Sequence, residues 1–223
     1  IIAPAAANTI SRRSIMDEHV SQDAGIVALL ANFADIVIAN FLWIITAIPI
    51  FTLGASTAAL YSVLRAPREN QYASSIFVKY FTAFAKNFKK TTLIFLLLLL
   101  PAAFVAYNIY LLVFGLLADN ILGYILCCFS IVLFFFLWVY VFPLAATFEN
   151  RIFKTIANGL MLSVAHFPTT LAILILWSIP VLVLVFFTNF FFRTIIIWLF
   201  VVFALIAKAN AFLLERVFRR YIP

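Results

Sequence analysis

Charged residues interrupt this chain only rarely. Uncharged runs extend over 36–64, 91–118, 120–148 and 155–192, each longer than the roughly 20 apolar residues that carry a helix across a bilayer. Within these runs apolar side chains follow one another directly, without the strand-like alternation that an outer-membrane barrel requires. The pattern predicts an all-α polytopic membrane protein. A five-span helical bundle fits, with spans near 26–50, 91–117, 121–145, 169–187 and 194–214 in a single membrane domain over 26–216. A polar N-terminal segment, 1–25, and a short tail, 217–223, flank it. The connections around Ala118–Asn120 and Thr188–Arg193 are short enough only for tight helical hairpins.

The connection after the first span is about 40 residues long and has a period of its own. Tyr72, Ile76, Phe77, Tyr80, Phe81, Phe84 and Phe88 recur at spacings of three and four, while Lys79, Lys86, Lys89 and Lys90 project to the other side. This is the signature of an amphipathic helix over 72–90. Such a helix lies in the headgroup layer with its lysines toward anionic lipid, or offers a docking surface to a partner. A second regularity links distant segments. Displaced by 79 residues, Phe88, Thr91, Ile94, Leu97 and Pro101 fall on Phe167, Thr170, Ile173, Leu176 and Pro180, as a parallel duplication of 72–148 and 151–216 would place them. In that reading each unit opens with a helical segment on the basic side of the membrane.

Composition agrees with the membrane reading, since 67% of residues are hydrophobic and 10% charged, with a mean hydropathy of +1.18. Soluble domains carry about 25% charged residues. The net charge of +7 does not point to nucleic acid, because its distribution follows the spans. Twelve of the 15 basic residues fall in three segments separated by pairs of apolar runs: Arg65, Arg68, Lys79, Lys86, Lys89 and Lys90; Arg151 and Lys154; Lys208, Arg216, Arg219 and Arg220. By the positive-inside rule these face the cytoplasm, which sets the N-terminus outside and the C-terminus inside. Residues 1–25 hold no apolar core of signal-peptide length.

Candidate chemistry is scarce. Asp35 is the one carboxylate within a predicted span, His19 and His166 fall at boundaries on opposite sides, and the adjacent Cys127 and Cys128 read as packing residues inside an apolar run. The chain contains neither a Gly-x-Ser-x-Gly elbow nor a Walker A loop, and its His, Cys and carboxylate residues do not follow metal-ligand spacing. These features predict a non-enzyme without a metal or cofactor, in contact with membrane lipid. Span 1 has more character. On a helical projection Ala28, Asn32, Asp35, Ala39, Asn40, Trp43 and Thr46 share an arc of roughly 140°, a small and polar face suited to packing on protein rather than lipid. Pro49 then bends or ends the helix near the inner surface. Gly54 is expected to supply a permissive backbone at the turn, and Ser56 or Thr57 to N-cap a short helix through about Leu64. The helix-packing or partner-binding residues of this region are Asn32, Asp35, Asn40, Trp43, Thr46, Pro49, Gly54, Ser56, Thr57 and Tyr61.

The stretch Asn40-x-x-Trp43, Pro49-x-x-Thr52-x-Gly54-Ala55-Ser56 and Ala59-Leu60-Tyr61 closely resembles the YesL-like family of bacterial membrane proteins. Phe81, Phe84, Asn87-Phe88-Lys89 and Thr91 resemble its second motif, so the likeness covers about 36–92. Ala47 departs from the serine expected before the Ile-Pro pair. The resemblance implies a multi-pass protein of the bacterial plasma membrane, of a kind usually encoded beside oligosaccharide ABC importers, glycoside hydrolases or sensor kinases. The expectation that follows is a non-catalytic accessory subunit of a carbohydrate ABC importer, bound to its permease subunits. The chain lacks the Glu-Ala-Ala docking loop of a permease itself. A small-molecule transporter or channel, and a sensor or scaffold for a histidine kinase, are the alternatives.

Overall fold

The computed structural model describes residues 25, 27, 29–65, 75–115 and 120–221. Tyr72, Ala28, Asp119, His19 and the polar segment before Gly25 lie outside them. The described chain is helical: α1 (Leu29–Ala47), a 3-10 turn (Ile50–Thr52), α2 (Leu53–Arg65), α3 (Ile76–Val113), α4 (Ile121–Thr147), α5 (Ile152–Ala165), α6 (Phe167–Phe186), α7 (Thr188–Arg193) and α8 (Ile195–Phe218). Five of these, α1, α3, α4, α6 and α8, are long and apolar enough to cross a membrane. The all-α, five-span bundle read from the sequence is therefore the architecture found.

The main difference in boundaries lies in α3. The amphipathic segment over 72–90 and the span expected at 91–117 are not separate elements, because α3 runs through Lys90 without a break for 38 residues. Neither Gly nor Pro occurs between Ile76 and Leu100, so nothing in the local chain stops the helix. Pro101 lies inside it, as Pro143 and Pro180 lie inside α4 and α6, and all three are tolerated in the interiors of apolar helices. The helical segment expected before the span at 169–187 is a separate element. His166, at φ −113° and ψ 45°, separates α5 from α6, whose first turn contains Pro168. Of the positions paired by the 79-residue shift, Thr91 with Thr170 and Ile94 with Ile173 are alike in being buried, whereas Phe88 is half-buried and Phe167 exposed.

α2 is the most enclosed element. It rests on α3, α4 and α8 and buries Gly54, Ala55, Ser56, Ala58, Ala59, Leu60, Tyr61 and Leu64. Between apolar helices in lipid, close van der Waals fit replaces the hydrophobic effect as the source of association, and small side chains permit that fit. Around α2 one apolar cluster gathers Leu42, Tyr80, Tyr140, Ile173, Leu214 and Phe218, and a second joins Ile94, Phe95 and Leu98 to Val141, Phe142 and Ala145. Both lie toward the end of the bundle where Arg65, Lys90 and Lys208 collect. At the opposite end α3, α4 and α6 turn Phe104, Tyr107, Val113, Ile125, Phe129, Val185 and Phe186 outward, as lipid-facing helices do.

Candidate functional site

The junction of α1 with α2 collects most of the residues singled out in the sequence. Leaving α1 costs the chain its helix hydrogen bonds, since Pro49 has no N–H and the last carbonyls of a helix lack partners. Thr52 repairs this. Its Oγ1 donates toward the carbonyls of Thr46 and Pro49, the latter at 2.6 Å, while its backbone N–H also reaches Pro49 O at 2.7 Å. The 3-10 turn so formed lets α2 begin at Leu53. Ser56 and Thr57 therefore do not cap it. Ser56 lies in the first turns of the helix, and its Oγ donates back to Thr52 O at 3.0 Å.

Gly54 also serves differently from expectation. It is helical, and among the described glycines only Gly115 has a positive φ. What Gly54 provides is the absence of a side chain: a Cβ there would sit 2.5 Å from the backbone oxygen of Thr91 and 2.7 Å from Phe142 Cε1. This is where α2 touches both α3 and α4.

Span 1 locks onto this junction through polar contacts. Thr46 Oγ1 lies 2.8 Å from Leu42 O and 2.7 Å from the Tyr80 hydroxyl, which has a longer contact, 3.4 Å, to Ser56 O. Trp43 Nε1 donates to Thr57 Oγ1 at 3.2 Å. Asn40, 1% exposed, donates through Nδ2 to the carbonyl of Leu199, within the π-helical stretch Trp198–Val202 of α8. A π turn frees backbone groups from the regular ladder, and Asn40 meets one of them. The basic-end half of the polar face, Ala39 through Thr46, thus packs inside the bundle. Farther along α1, Asn32 is exposed and Asp35 half-buried.

Tyr61 is buried with its ring edge-on to Phe218, at a centroid distance of 6.1 Å. Burial pushes its hydroxyl far above the ordinary phenol range, with the Arg65 charge opposing the shift. It stays a neutral core phenol. Arg65 reaches over α4, where Nη1 donates to Thr147 Oγ1 at 3.1 Å.

The basic residues divide into two groups. Lys90 Nζ donates to Phe148 O at 2.9 Å and Ala145 O at 3.3 Å, at the C-terminal end of α4, and Lys208 Nζ donates to Leu64 O at the end of α2. A cation there meets orphaned carbonyls and the negative pole of the helix dipole. Lys90 therefore leaves the outward set in which its spacing had placed it. Lys86 and Lys89 remain outward with Phe77 and Phe81, and Lys79 is half-buried. Lys86 pairs with Glu149 at 3.4 Å, both largely exposed. Of the aromatic side of the pattern, Tyr80 is fully buried, whereas Phe77 and Phe81 are exposed.

Other features offer structure rather than chemistry. An apolar groove of about 300 Å³ between α3 and α4 is lined by Pro101, Phe104, Phe129 and Leu133. Its polar neighbours Asn108 and Ser130 donate to their own helices, at Phe104 O and Cys127 O. His166 Nε2 lies 3.0 Å from the Tyr221 hydroxyl and ties the α5–α6 junction to the chain after α8. Cys127 is buried and Cys128 exposed, both as free thiols. Among the described residues no three His, Cys, Asp or Glu side chains come together.

Sequence reasoning overlooked the buried side of α5. Thr155, Gly159 and Ser163 press against α4, close enough that a Cβ on Gly159 would come within 2.8 Å of Val141 Cγ2. Their spacing of four is the small-residue pattern of membrane helix pairs and was available in the sequence. The capping roles of Lys90 and Lys208 were not, because each partner belongs to another helix.

Residues 36–109 match the model of a family described as "Protein of unknown function, DUF624". The match takes in most of α1, all of α2 and most of α3, and is compatible with the YesL-like resemblance, which rests on the same stretch. No curated protein and no solved structure matches the chain.

Proposed function

We propose that this protein is a non-catalytic accessory subunit of a carbohydrate ABC importer in the bacterial plasma membrane, binding its permease subunits, with its basic end in the cytoplasm. The observation that carries the reading is how side chains are allotted within the segment that bears the family resemblance. Asn40, Thr46, Thr52, Tyr80 and Lys90 are spent on joining helices to one another. The same segment leaves Phe77 and Phe81 exposed along one flank of α3 and Lys86 and Lys89 exposed along the other. A rigid hub carrying an aromatic and basic face suits a protein that works by contact, since aromatic anchors beside long cations are favoured at binding surfaces. The choice of an importer as partner rests on the YesL-like resemblance.

Purification from native membranes in a mild detergent, followed by mass spectrometry of the co-eluting proteins, tests the proposal. Permease and substrate-binding subunits of one importer are expected at stoichiometric levels. A kinase in their place would favour a sensor scaffold. Recovery of the chain alone, together with solute uptake after reconstitution, would favour a transporter.

A further inference from the structure

α8 contains a π-helical stretch, Trp198–Val202. In a regular α-helix the N–H of Phe203 would donate to the carbonyl four residues back, that of Leu199. Here it donates to Trp198 O, five residues back. The stretch thus holds one residue more than an α turn, and the Leu199 carbonyl loses that donor from the ladder. Asn40 of α1 donates to the same carbonyl. An unpaired carbonyl is costly in hydrocarbon, so a side chain of one span completes the irregular turn of another.

The two halves of α8 are held unequally. From Phe203 onward the helix packs on α2 and α6 and buries Ala204, Ile206, Ala211 and Leu214. Before the π stretch, Ile195, Ile196 and Ile197 are 36%, 69% and 55% exposed. Trp198 is the buried anchor of this part, with its Nε1 donating to Thr194 Oγ1 at 3.1 Å and its ring 5.2 Å from that of Phe191 in α7. Closing the π turn to α geometry would join Phe203 N–H to Leu199 O and turn the outer part by about 100° against the rest, the rotation of one residue. Leu199 would then stand where Trp198 stands, and Trp198 would leave its site.

We infer that Asn40 is a positioning residue for α8: its side-chain amide holds the π register, and with it the direction in which Trp198 and the adjoining α7 are presented. Three residues on, Trp43 donates to Thr57 and fastens α1 to α2, which fixes the height and rotation at which Asn40 meets α8. The inference uses only contacts within the chain and stands independently of the importer proposal.

A pair of nitroxide labels on α8 itself reads the register. With Cys127→Ala and Cys128→Ser as background, Ile196→Cys and Phe212→Cys place labels at exposed positions on either side of the π stretch. With the π turn present the two lie about 60° apart around the axis, and in an uninterrupted α-helix about 160° apart. In bilayer vesicles, pulsed dipolar spectroscopy is expected to give about 25 Å for the parent and about 30 Å for Asn40→Leu, which is similar in shape but has no donor. Deleting Val201 from the Asn40→Leu variant removes the extra residue, so both halves regain their places in an α-helix, and the shorter distance should return. An unchanged distance in Asn40→Leu would overturn the inference, because the π turn would then persist without its donor and Asn40 would serve only to fill space. Should Asn40→Leu fail to fold, a folded protein with the shorter distance on deletion of Val201 supports the inference, and failure of that deletion to restore folding overturns it.

Discussion

At two glycines a side chain would collide with a neighbouring helix, and the difference between them is measurable. At Gly54 the atom in the way of a side chain is the backbone oxygen of Thr91, 2.5 Å from the missing Cβ, whereas at Gly159 it is one methyl of Val141 at 2.8 Å. A methyl can turn away, but the carbonyl belongs to the ladder of α3. Replacing Gly by Ala within a helix gains about 1 kcal/mol of propensity, and overpacking costs about 1–3 kcal/mol. Gly159→Ala should therefore leave the melting temperature in detergent almost unchanged. Gly54→Ala should lower stability by about 2 kcal/mol, and equal effects at the two sites would refute this account of the α2 contact. The motif around Gly54 was legible as a specified turn, because Pro49, Thr52 and Gly54 are turn chemistry. Its internal assignments were not. Ser56 and Thr57 were equally able to cap by type, and only the path of the chain after Pro49 makes Thr52 the hydroxyl that satisfies the carbonyls left open at the end of α1.

At the scale of elements, the lesson lies in the lysines of α3. Their spacing placed Lys79, Lys86, Lys89 and Lys90 on one arc, which was sound as helical geometry, but Lys90 lies where α4 ends and its ammonium is drawn to Phe148 O and Ala145 O. Hydrogen bonds to a charged group contribute about 1.5–3 kcal/mol when buried, and Lys90 is only partly so. Lys90→Met should cost about 1–2 kcal/mol of thermal stability, while Lys86→Gln with Lys89→Gln should stay within about 0.5 kcal/mol, as surface changes do. Thermal unfolding in detergent reads both, and a double variant as unstable as Lys90→Met would remove the distinction between capping and surface lysines. Continuity of α3 followed from the absence of breakers, yet the change from amphipathic to wholly apolar pattern near Thr91 imitated a boundary. The break between α5 and α6 was marked by Pro168, and the small residues at 155, 159 and 163 marked the packed side of α5.

For the molecule as a whole, hydropathy was enough to give five spans, since their lengths are fixed by the bilayer and not by partner choice. It could not show that the packed core gathers at the basic end around a short central helix, because the turn after Pro49 announces α2 but not the contacts from α3, α4 and α8 that hold it. Orientation has a direct check. Cysteines introduced at Lys79 and Arg219 should be shielded from an impermeant thiol reagent in intact cells while one at Asp119 reacts, and the reverse pattern would place the basic end outside. The central claim is that the outward face of α3 binds an importer permease while the inward face builds the hub. Its most direct measurement is co-purification from native membranes of the variant Phe77→Ser, Phe81→Ser, Lys86→Glu, Lys89→Glu, alongside its melting temperature and orientation. The account predicts loss of permease recovery from a protein that remains folded and correctly inserted. Undiminished permease recovery with that face rewritten would contradict it.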